Sequence, residues 1–326
     1  MKIGILGLGN IAHQVAEVLN KCDGLTIEAV ASRSGVKAEE FKELHGANKA
    51  YGSYEELYTD DDVDVIYIAT PMSEHKYQMM RAIENNKAIL CEKSFCVNEA
   101  EAREVLEFAK EKKVLVAEAI WTRYMPSRKT ITDLINSGVI GRVTSIDSNL
   151  GYHITQNERI VSPALGGGAM LDLGVYPLNF ALMATQGDTI EKMSGSANIG
   201  ETGVDIQSTM NLVFKSGITA SLYVDAQCNT HRMSHINGTK GYIEIVNTNN
   251  PEVVRVYDNS RPPALIEEIV IDQPISGYEY QFYAVKKALE ENKLEVEEMP
   301  HAEILRVMRL MDIYRKSWGV KLSDEE

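Results

Sequence analysis

The chain has 326 residues, of which 44% are hydrophobic and 25% are charged. This length suffices for about two domains with their own cores, and the composition is that of a folded protein rather than a disordered one. Aspartate and glutamate number 47 against 33 lysines and arginines, giving a formal net charge of −14, which argues against a nucleic-acid partner.

Short apolar runs alternate with helical patterns in the first 119 residues, as is typical of repeated β-α-β units around a parallel sheet. A helix is predicted from the spacing of Ile11, Val15 and Leu19, and a later one from an apolar stripe over residues 99–112. The five runs that we expect to form strands are Lys2–Leu6, Thr26–Ala31, Val65–Ala69, Ala88–Cys91 and Val114–Ala117.

The pattern changes after about Trp121, where alternating polar and apolar residues predict an antiparallel sheet with one wetter face. Expected strands are Val143–Leu150, Met193–Ile199, Gln207–Phe214, Ile218–Ala226, Tyr242–Val246, Val253–Tyr257 and Glu267–Ile271. Expected helices are Ser127–Ser137, Ala169–Ala184, Tyr278–Glu291 and His301–Trp318. We therefore predict a doubly wound α/β domain over residues 1–119, followed by an α+β domain over 120–326 whose large open sheet is mostly antiparallel.

The four cysteines form no CxxC pair and no zinc-like spacing, so we predict neither a disulfide framework nor a metal site. His231 and His235 lie four apart in a strand-like region, too far apart for one metal ion unless the chain bends. The N-terminus has no basic segment followed by a long apolar one, and no apolar run elsewhere is long enough to cross a bilayer. We expect a cytoplasmic protein without a membrane partner.

A glycine-rich GxGxxA motif follows the first strand and opens the first helix. The first glycine permits a tight turn, the second lets the backbone approach a pyrophosphate, and Ala12 keeps the helix close to the strand. A simple glycine turn is the alternative. The pattern predicts a Rossmann dinucleotide site whose cofactor contacts Gly7, Leu8, Gly9, Asn10 and Ile11.

The second strand ends in Ser32 and Arg33 rather than in the acid that holds the ribose 2′-hydroxyl of NAD, and Glu28 comes too early to do so. Serine and arginine can both bind a 2′-phosphate, so the charge favours NADP, with NAD also possible. A solvated basic turn is the alternative interpretation.

Further polar residues follow the next strands, at the edge where such sheets bind ligands. They are Thr70, Pro71 and His75 after the third strand, Glu92 and Lys93 after the fourth, and, in the second half, Asp172 and Tyr176. Oxidation of an alcohol needs a base for the hydroxyl proton, and Lys93 is our first candidate. Asp172 and Tyr176 are one helical turn apart if their segment is helical.

The order GxGxxA, TPxxxH, EK and DxGxY resembles the Gfo/Idh/MocA family of glucose-fructose oxidoreductase and inositol dehydrogenase relatives over essentially the whole chain. The run from Trp121 to Pro126 is most similar to its dimeric dihydrodiol dehydrogenase branch, whose members oxidise trans-dihydrodiols and some sugars with NADP. The family usually has proline where Ser94 stands. Many members have histidine at the position of Tyr176, and tyrosine fits the dihydrodiol and glucose-fructose branches better.

The resemblance implies that Lys93, Tyr176 and Asp172 are catalytic and lie near the nicotinamide, with Tyr176 relaying the proton or orienting the substrate hydroxyl. It also implies that Thr70, Pro71, His75, Glu92 and Lys93 border the cofactor, with His75 supporting the cofactor loop. Trp121 and Arg123 are candidates for the substrate pocket, together with Tyr176. The alternatives are a surface lysine, a core tyrosine, a helix-capping aspartate and a structural role for Trp121 and Arg123.

We expect an NAD(P)-dependent oxidoreductase that transfers hydride between a nicotinamide and a sugar, cyclitol or trans-dihydrodiol. The alternative is a dinucleotide-binding metabolite sensor on the same fold. The residues leave the individual substrate and the direction of the reaction open. A homo-oligomer, dimer or tetramer, is expected because the half-polar second sheet offers a broad face and family relatives commonly dimerise through it.

Overall fold

The computed structural model describes residues 1–322. Its first sheet has six parallel strands in the order β3-β2-β1-β4-β5-β6. The strands are β1 Lys2–Leu6, β2 Thr26–Ala31, β3 Lys49–Tyr51, β4 Val65–Ile68, β5 Ala88–Glu92 and β6 Val116–Ala119. Strand β3 was not predicted, because three half-buried residues carry no readable periodicity.

Five helices alternate with these strands along the chain, namely α1 Asn10–Leu19, α2 Gly35–His45, α3 Tyr54–Tyr58, α4 His75–Glu84 and α5 Glu99–Lys112. Short 3₁₀ turns precede α4 and follow β6, over Met72–Glu74 and Trp121–Arg123. Ser34, Ser53 and Asn98 cap α2, α3 and α5, each accepting a hydrogen bond from the backbone two or three residues into the helix. The central strands β1 and β4 are buried almost throughout, as expected of a sheet covered on both faces.

The second sheet has eight strands in the order β14-β13-β12-β11-β7-β10-β9-β8. They are β7 Val143–Gly151, β8 Ile190–Ile199, β9 Asp205–Phe214, β10 Thr219–Asp225, β11 Met233–Gly238, β12 Gly241–Val246, β13 Val253–Asp258 and β14 Leu265–Val270. All neighbours are antiparallel except β7 and β10, which are parallel. Strand β11 was not among the strands predicted with bounds, although the sequence around His231 and His235 is strand-like.

Strands β12 and β13 alternate between buried and half-buried residues, so one face of the second sheet is covered and the other is open. Helix α6, Pro126–Ser137, precedes this sheet in the chain. The short α7, Glu158–Val161, and the largely buried α8, Val175–Ala184, lie between β7 and β8. A turn of π-helix, Met170–Gly174, leads directly into α8. The predicted α/β fold with a mostly antiparallel second sheet is confirmed.

The chain divides into two compact units. The first contains residues 1–124 and 274–309, and the second contains residues 125–273 and the described residues from 310 onward. Helices α9, Glu279–Glu290, and α10, His301–Ser317, follow β14 in the chain. Residues 274–309 thus group with the first sheet. The sequence predicts instead a single boundary between residues 119 and 120, and that boundary stays a prediction.

Within residues 1–322, no helix is both long and apolar enough to cross a membrane. That part of the chain also holds no group of three or more histidine, cysteine, aspartate or glutamate side chains that could bind a metal ion. His235 lies in β11 and His231 precedes it, with a left-handed Arg232 (φ 53°) between them. The chain therefore bends at the point where the sequence suggested a continuous strand.

Candidate functional site

In the glycine turn between β1 and α1, Gly7 packs closely against the chain and Gly9 faces open space. Gly7 has φ of 90°, and a Cβ atom there would lie 2.9 Å from the carbonyl carbon of Ala69. Gly9 caps α1 in an extended conformation, and a Cβ on it would have no atom within 4 Å. The backbone at Gly9 therefore faces open space, as a bound pyrophosphate requires.

Helix α1 begins without a side-chain cap and without an acidic residue in its first turn. Its first amide N–H groups and the positive end of its dipole are thus suited to an anion. Ala12 is completely buried, so the helix packs closely on the sheet, while Asn10 is exposed. Leu8 is buried and Ile11 half-buried, so these two predicted cofactor residues offer backbone more readily than side chain. The turn fits the pyrophosphate of a dinucleotide.

The end of β2 carries Ser32, whose hydroxyl accepts a hydrogen bond from the backbone N–H of Ser34 at 3.3 Å, and Arg33, which is exposed. Glu28, the only acid in β2, is buried and accepts a hydrogen bond from Asn48 at 2.9 Å. A carboxylate committed to that contact does not serve the ribose hydroxyls. The turn thus carries hydroxyl and guanidinium groups, and their predicted contact with a 2′-phosphate remains a prediction.

His75 lies between the segments that follow β4 and β5. Its Nε2 lies 3.1 Å from the carbonyl oxygen of Thr70, and its Nδ1 lies 3.1 Å and 3.2 Å from those of Ser94 and Phe95. The ring is 1% exposed, and burial lowers its pKa. The Thr70 hydroxyl is buried without a hydrogen-bond partner among the described residues, at the start of the Thr70-Pro71 turn. That hydroxyl is a ready donor or acceptor for a bound cofactor.

Glu92 ends β5, and the half-buried Lys93 follows it. The hydroxyl of Tyr67 donates a hydrogen bond to Glu92 Oε1 at 2.5 Å. Burial and the neighbouring Glu92 carboxylate raise the pKa of Tyr67 well above its usual value, so Tyr67 stays a donor. This contact holds Glu92, while the cofactor contact that we predicted for it remains a prediction. Tyr67 itself was not predicted as a site residue.

A buried carboxyl group lies beside the segment that follows β5. Glu118 in β6 is 1% exposed, and its Oε1 accepts a hydrogen bond from the Phe95 backbone N–H at 3.0 Å. Burial raises the pKa of Glu118 to about 7, opposed by the Phe95 N–H and the charge of Arg123. Arg123 is 4% exposed and donates to Glu303 Oε2 at 3.1 Å. This ion pair supports a structural role for Arg123, the alternative to our substrate-pocket prediction.

The other predicted pocket residue, Trp121, is 6% exposed. Its ring lies 4.4 Å, centroid to centroid, from that of Tyr278. The indole is thus almost fully buried and contacts an aromatic ring of the first unit, consistent with the structural alternative.

In the second unit, Asp172 lies in the π-helical turn and Tyr176 in the first turn of α8, both mostly buried. Asp172 Oδ1 accepts a hydrogen bond from Arg159 Nη1 at 2.6 Å. A π-helical turn is a common irregularity at functional sites. Asp172 therefore forms an ion pair and is not a simple helix cap, and its partner Arg159 was not predicted.

The start of this helix is held by a second buried carboxylate. Asp205, at the beginning of β9, accepts a hydrogen bond from the Met170 backbone N–H at 2.7 Å. Burial raises the pKa of Asp205 to about 6. Gly168 has φ of 125°, and a Cβ there would lie 2.6 Å from Asp205 Oδ1. The glycine-rich segment 166–168 thus permits the close packing of Asp205 against the helix that carries Asp172 and Tyr176.

Two family models match this chain. Residues 1–120 match "Oxidoreductase family, NAD-binding Rossmann fold", and residues 129–244 match "GFO/IDH/MocA C-terminal domain". The chain belongs to the Gfo/Idh/MocA family. The resemblance inferred from the motifs is thereby confirmed, and so is the presence of a Rossmann domain that binds a nicotinamide dinucleotide.

Curated relatives of this Gfo/Idh/MocA protein are trans-1,2-dihydrobenzene-1,2-diol dehydrogenases. The mouse enzyme is 31% identical over 330 residues, which cover 100% of this chain and 99% of the relative, and the bovine enzyme is 31% identical over 333 residues with the same coverage. The predicted similarity to the dihydrodiol dehydrogenase branch is confirmed. The protein is an NAD(P)-dependent oxidoreductase, a dehydrogenase or reductase.

Solved structures share the whole fold of this Gfo/Idh/MocA protein. A 3-ketoreductase from Actinomadura kijaniata, in complex with NADP and TDP-benzene, matches with a TM-score of 0.88 and 23% identity over 97% of both chains. An aldose-aldose oxidoreductase from Caulobacter crescentus, complexed with glycerol, matches with a TM-score of 0.86 and 23% identity over 97% of this chain and 96% of the other. At this identity the likeness establishes the fold alone.

Proposed function

We propose that this protein is an NADP-preferring dehydrogenase or reductase that interconverts a CH–OH group and a carbonyl on a sugar, cyclitol or trans-dihydrodiol. The observation that carries the proposal is the position of Lys93. Strands β1, β4 and β5 are neighbours in the first sheet, so their carboxyl ends place the glycine turn, Thr70 and Lys93 side by side. This arrangement supports Lys93 as the proton-accepting side chain, on the edge of the sheet where such folds bind a dinucleotide.

The relatives support the substrate class. The curated relatives are named as dihydrodiol dehydrogenases, and the structural neighbours include a 3-ketoreductase and an aldose-aldose oxidoreductase. These names share one kind of reaction, at a hydroxyl or carbonyl of a small polyoxygenated molecule. We therefore propose the class and leave the individual substrate to the assay.

Lys93 acts as the base in the proposed mechanism. In the direction of oxidation its Nζ takes the hydroxyl proton of the substrate, and in the direction of reduction its ammonium returns that proton. A bound nicotinamide supplies the hydride acceptor or donor. Tyr176 orients the substrate hydroxyl or relays its proton, and Asp172, anchored by Arg159, accepts a hydrogen bond from the substrate.

The residues at the end of β2 support a preference for NADP. Arg33 is exposed and can pair with a 2′-phosphate, while Ser32 can donate to it. We expect Arg33→Ala to lower the ratio of NADP to NAD efficiency, in kcat/KM, by about 10-fold, the loss expected for one charged hydrogen bond. Lys110→Ala, which removes an exposed cation from α5, is the control. An unchanged ratio in Arg33→Ala would remove the argument for NADP.

Replacement of Lys93 tests the catalytic role directly. We expect Lys93→Met to lose about 100-fold to 10,000-fold in kcat, the usual contribution of a general base, while binding of the dinucleotide persists. Dinucleotide binding is measured by fluorescence titration, and turnover by the absorbance of reduced nicotinamide. Normal turnover by Lys93→Met would contradict the mechanism.

A substrate panel tests the class of reaction. Purified protein is assayed with NADP⁺ and with NAD⁺ against dihydrodiols, aldoses and inositols, and formation of reduced nicotinamide is followed. Turnover of one group identifies the substrate class and the coenzyme together. Tight dinucleotide binding without turnover of any panel member would favour the metabolite-sensing alternative.

Self-association and location complete the proposal. We propose a homodimer or tetramer assembled through the open face of the second sheet, which carries half-buried aromatic side chains.

We also propose that the protein acts in the cytoplasm. Its four free cysteines, Cys22, Cys91, Cys96 and Cys228, support a reducing compartment.

A further inference from the structure

The segment that carries Lys93 is fixed by two buried titratable side chains. We call residues 93–95, which follow β5, the lysine turn. His75 faces the carbonyl oxygens of Ser94 and Phe95 at 3.1 Å and 3.2 Å. Glu118 accepts the Phe95 N–H at 3.0 Å. With the His75 proton on Nδ1, three backbone groups of the lysine turn are thus held by side chains from outside it.

Glu118 is itself held in place. It pairs in register with Cys91 of β5, two residues before Lys93, so its side chain reaches past the end of the neighbouring strand. Its own backbone carbonyl accepts a hydrogen bond from the Tyr124 hydroxyl at 2.6 Å. A short strand, a buried side chain and a fixed backbone leave the Glu118 carboxyl little freedom to move.

A carboxyl group is an unfavourable occupant of this position. The other residues of β6 are Val116, Ala117 and Ala119, all completely buried, and an apolar side chain would avoid the cost of desolvating a carboxylate. The hydrogen bond to Phe95 recovers part of that cost. Glutamate provides what an apolar side chain would not, a hydrogen-bond acceptor for the Phe95 N–H of the lysine turn.

We propose that Glu118 is a positioning residue for the reaction. Its hydrogen bond to the Phe95 N–H, together with the contacts of His75 to the Ser94 and Phe95 carbonyl oxygens, holds the lysine turn so that Lys93 meets the substrate hydroxyl. This inference rests on the proposed function, since it requires Lys93 to be the proton-transferring group. Glu118 acts through the backbone of the lysine turn.

Variants at Glu118 separate the acceptor from the charge. Glu118→Gln keeps a carbonyl oxygen for the Phe95 N–H, and we expect it to retain most of kcat. Glu118→Leu and Glu118→Met remove the acceptor at similar volume, and we expect a fall in kcat of about 100-fold, the effect of a misplaced catalytic group. The KM for the dinucleotide and its dissociation constant should not change, because the glycine turn and Arg33 are untouched. The two apolar variants differ in shape, so one remains to be measured if the other fails to fold.

Chemical labelling reports the position of Lys93 without turnover. Acetic anhydride labels lysine amines, and peptide mass spectrometry gives the labelling rate of Lys93 relative to the exposed Lys110. We expect this ratio to change in Glu118→Leu and Glu118→Met and to remain at the native value in Glu118→Gln.

A second buried carboxylate provides the control. Asp60 is 9% exposed and binds Lys49 at 2.8 Å, before the start of β4. Asp60→Asn should lower stability without changing kcat or the Lys93 labelling ratio. Equal losses of kcat in Asp60→Asn and Glu118→Leu would overturn the positioning role, as would native kcat in both apolar variants.

The outcome also distinguishes this inference from the proposed function. Loss of turnover in Lys93→Met with native turnover in Glu118→Leu and Glu118→Met overturns the role of Glu118 and leaves that of Lys93. Native turnover in Lys93→Met overturns both roles. The labelling ratio then shows whether Glu118 still fixes the lysine turn as a purely structural contact.

Discussion

Individual buried acids make the stability of this protein depend on pH. Burial raises the pKa of Glu118 from 4.5 to about 7 and that of Asp205 from 3.8 to about 6. Each folded carboxyl therefore binds its proton more tightly than the unfolded chain does. Their contribution to stability is present below the unfolded pKa and is lost as the pH rises through the folded pKa.

We expect Glu118→Gln to reduce this dependence between pH 5 and pH 8. The amide cannot ionise, so the variant avoids a penalty of order 3 kcal/mol that the buried glutamate develops as it loses its proton. Arg123 and Lys93 lower the pKa of Glu118, and Glu92 raises it, and all three remain in the variant. Urea unfolding is measured for both proteins at several pH values. The midpoint concentration of the variant should rise relative to that of the native protein as the pH rises. A constant difference between the two midpoints would contradict the prediction.

The same residues show what a sequence reveals of a site. Gly7 and Gly9 were predicted because the motif and its turn lie within a few residues of one another. Glu118 gave no signal, because its partner Phe95 lies 23 residues away and only the pairing of β5 with β6 brings them together. Arg123 looked like a substrate clamp, yet its partner Glu303 lies 180 residues along the chain.

Single elements show the same division between local and distant information. The strongly apolar strands β1 and β4 were predicted at or within one residue of their bounds. Strand β11 has one aliphatic residue, Ile236, apart from Met233, and it exists because it pairs with β7 and β12. The sequence predicted a helix from Ala169, but it gave no sign of the π-helical turn at its start, where the Met170 N–H binds Asp205, a partner 35 residues away.

We expect Gly168→Ala to be more destabilising than Gly187→Ala. Both glycines have positive φ, 125° and 87°, so alanine is strained at either position. At Gly168 the added methyl group would also collide with Asp205 Oδ1, whereas at Gly187 it would meet no atom within 4 Å. Thermal unfolding of the two variants gives the comparison, and equal losses would show that the contact with Asp205 does not constrain this segment. Gly168→Ala should also lower kcat, because Met170 leads into the helix of Asp172 and Tyr176.

At the scale of the whole molecule, the open face of the second sheet takes no part in the proposed reaction. Tyr242 and Tyr257 are opposite each other on β12 and β13, and their rings stack with centroids 4.8 Å apart and planes 16° apart. Arg255 on the same face binds Glu244 and Glu268. Tyrosine and arginine are enriched at protein interfaces, where they bury apolar surface while their polar ends remain paired.

We expect Tyr257→Glu to weaken self-association. In a two-fold symmetric dimer each substitution appears twice in one interface, so two new carboxylates must be desolvated there, each on the face that already carries Glu244 and Glu268. Sedimentation velocity over a range of protein concentrations should show the native chain as a dimer or tetramer and the variant shifted toward the monomer. Leu44→Glu is the matched control, since Leu44 is 70% exposed on α2 of the first unit and lies outside this sheet. A native chain that sediments as a monomer, or a Tyr257→Glu variant that retains the native assembly, would exclude this face as the interface, because burial of an unpaired carboxylate in each chain is too costly there.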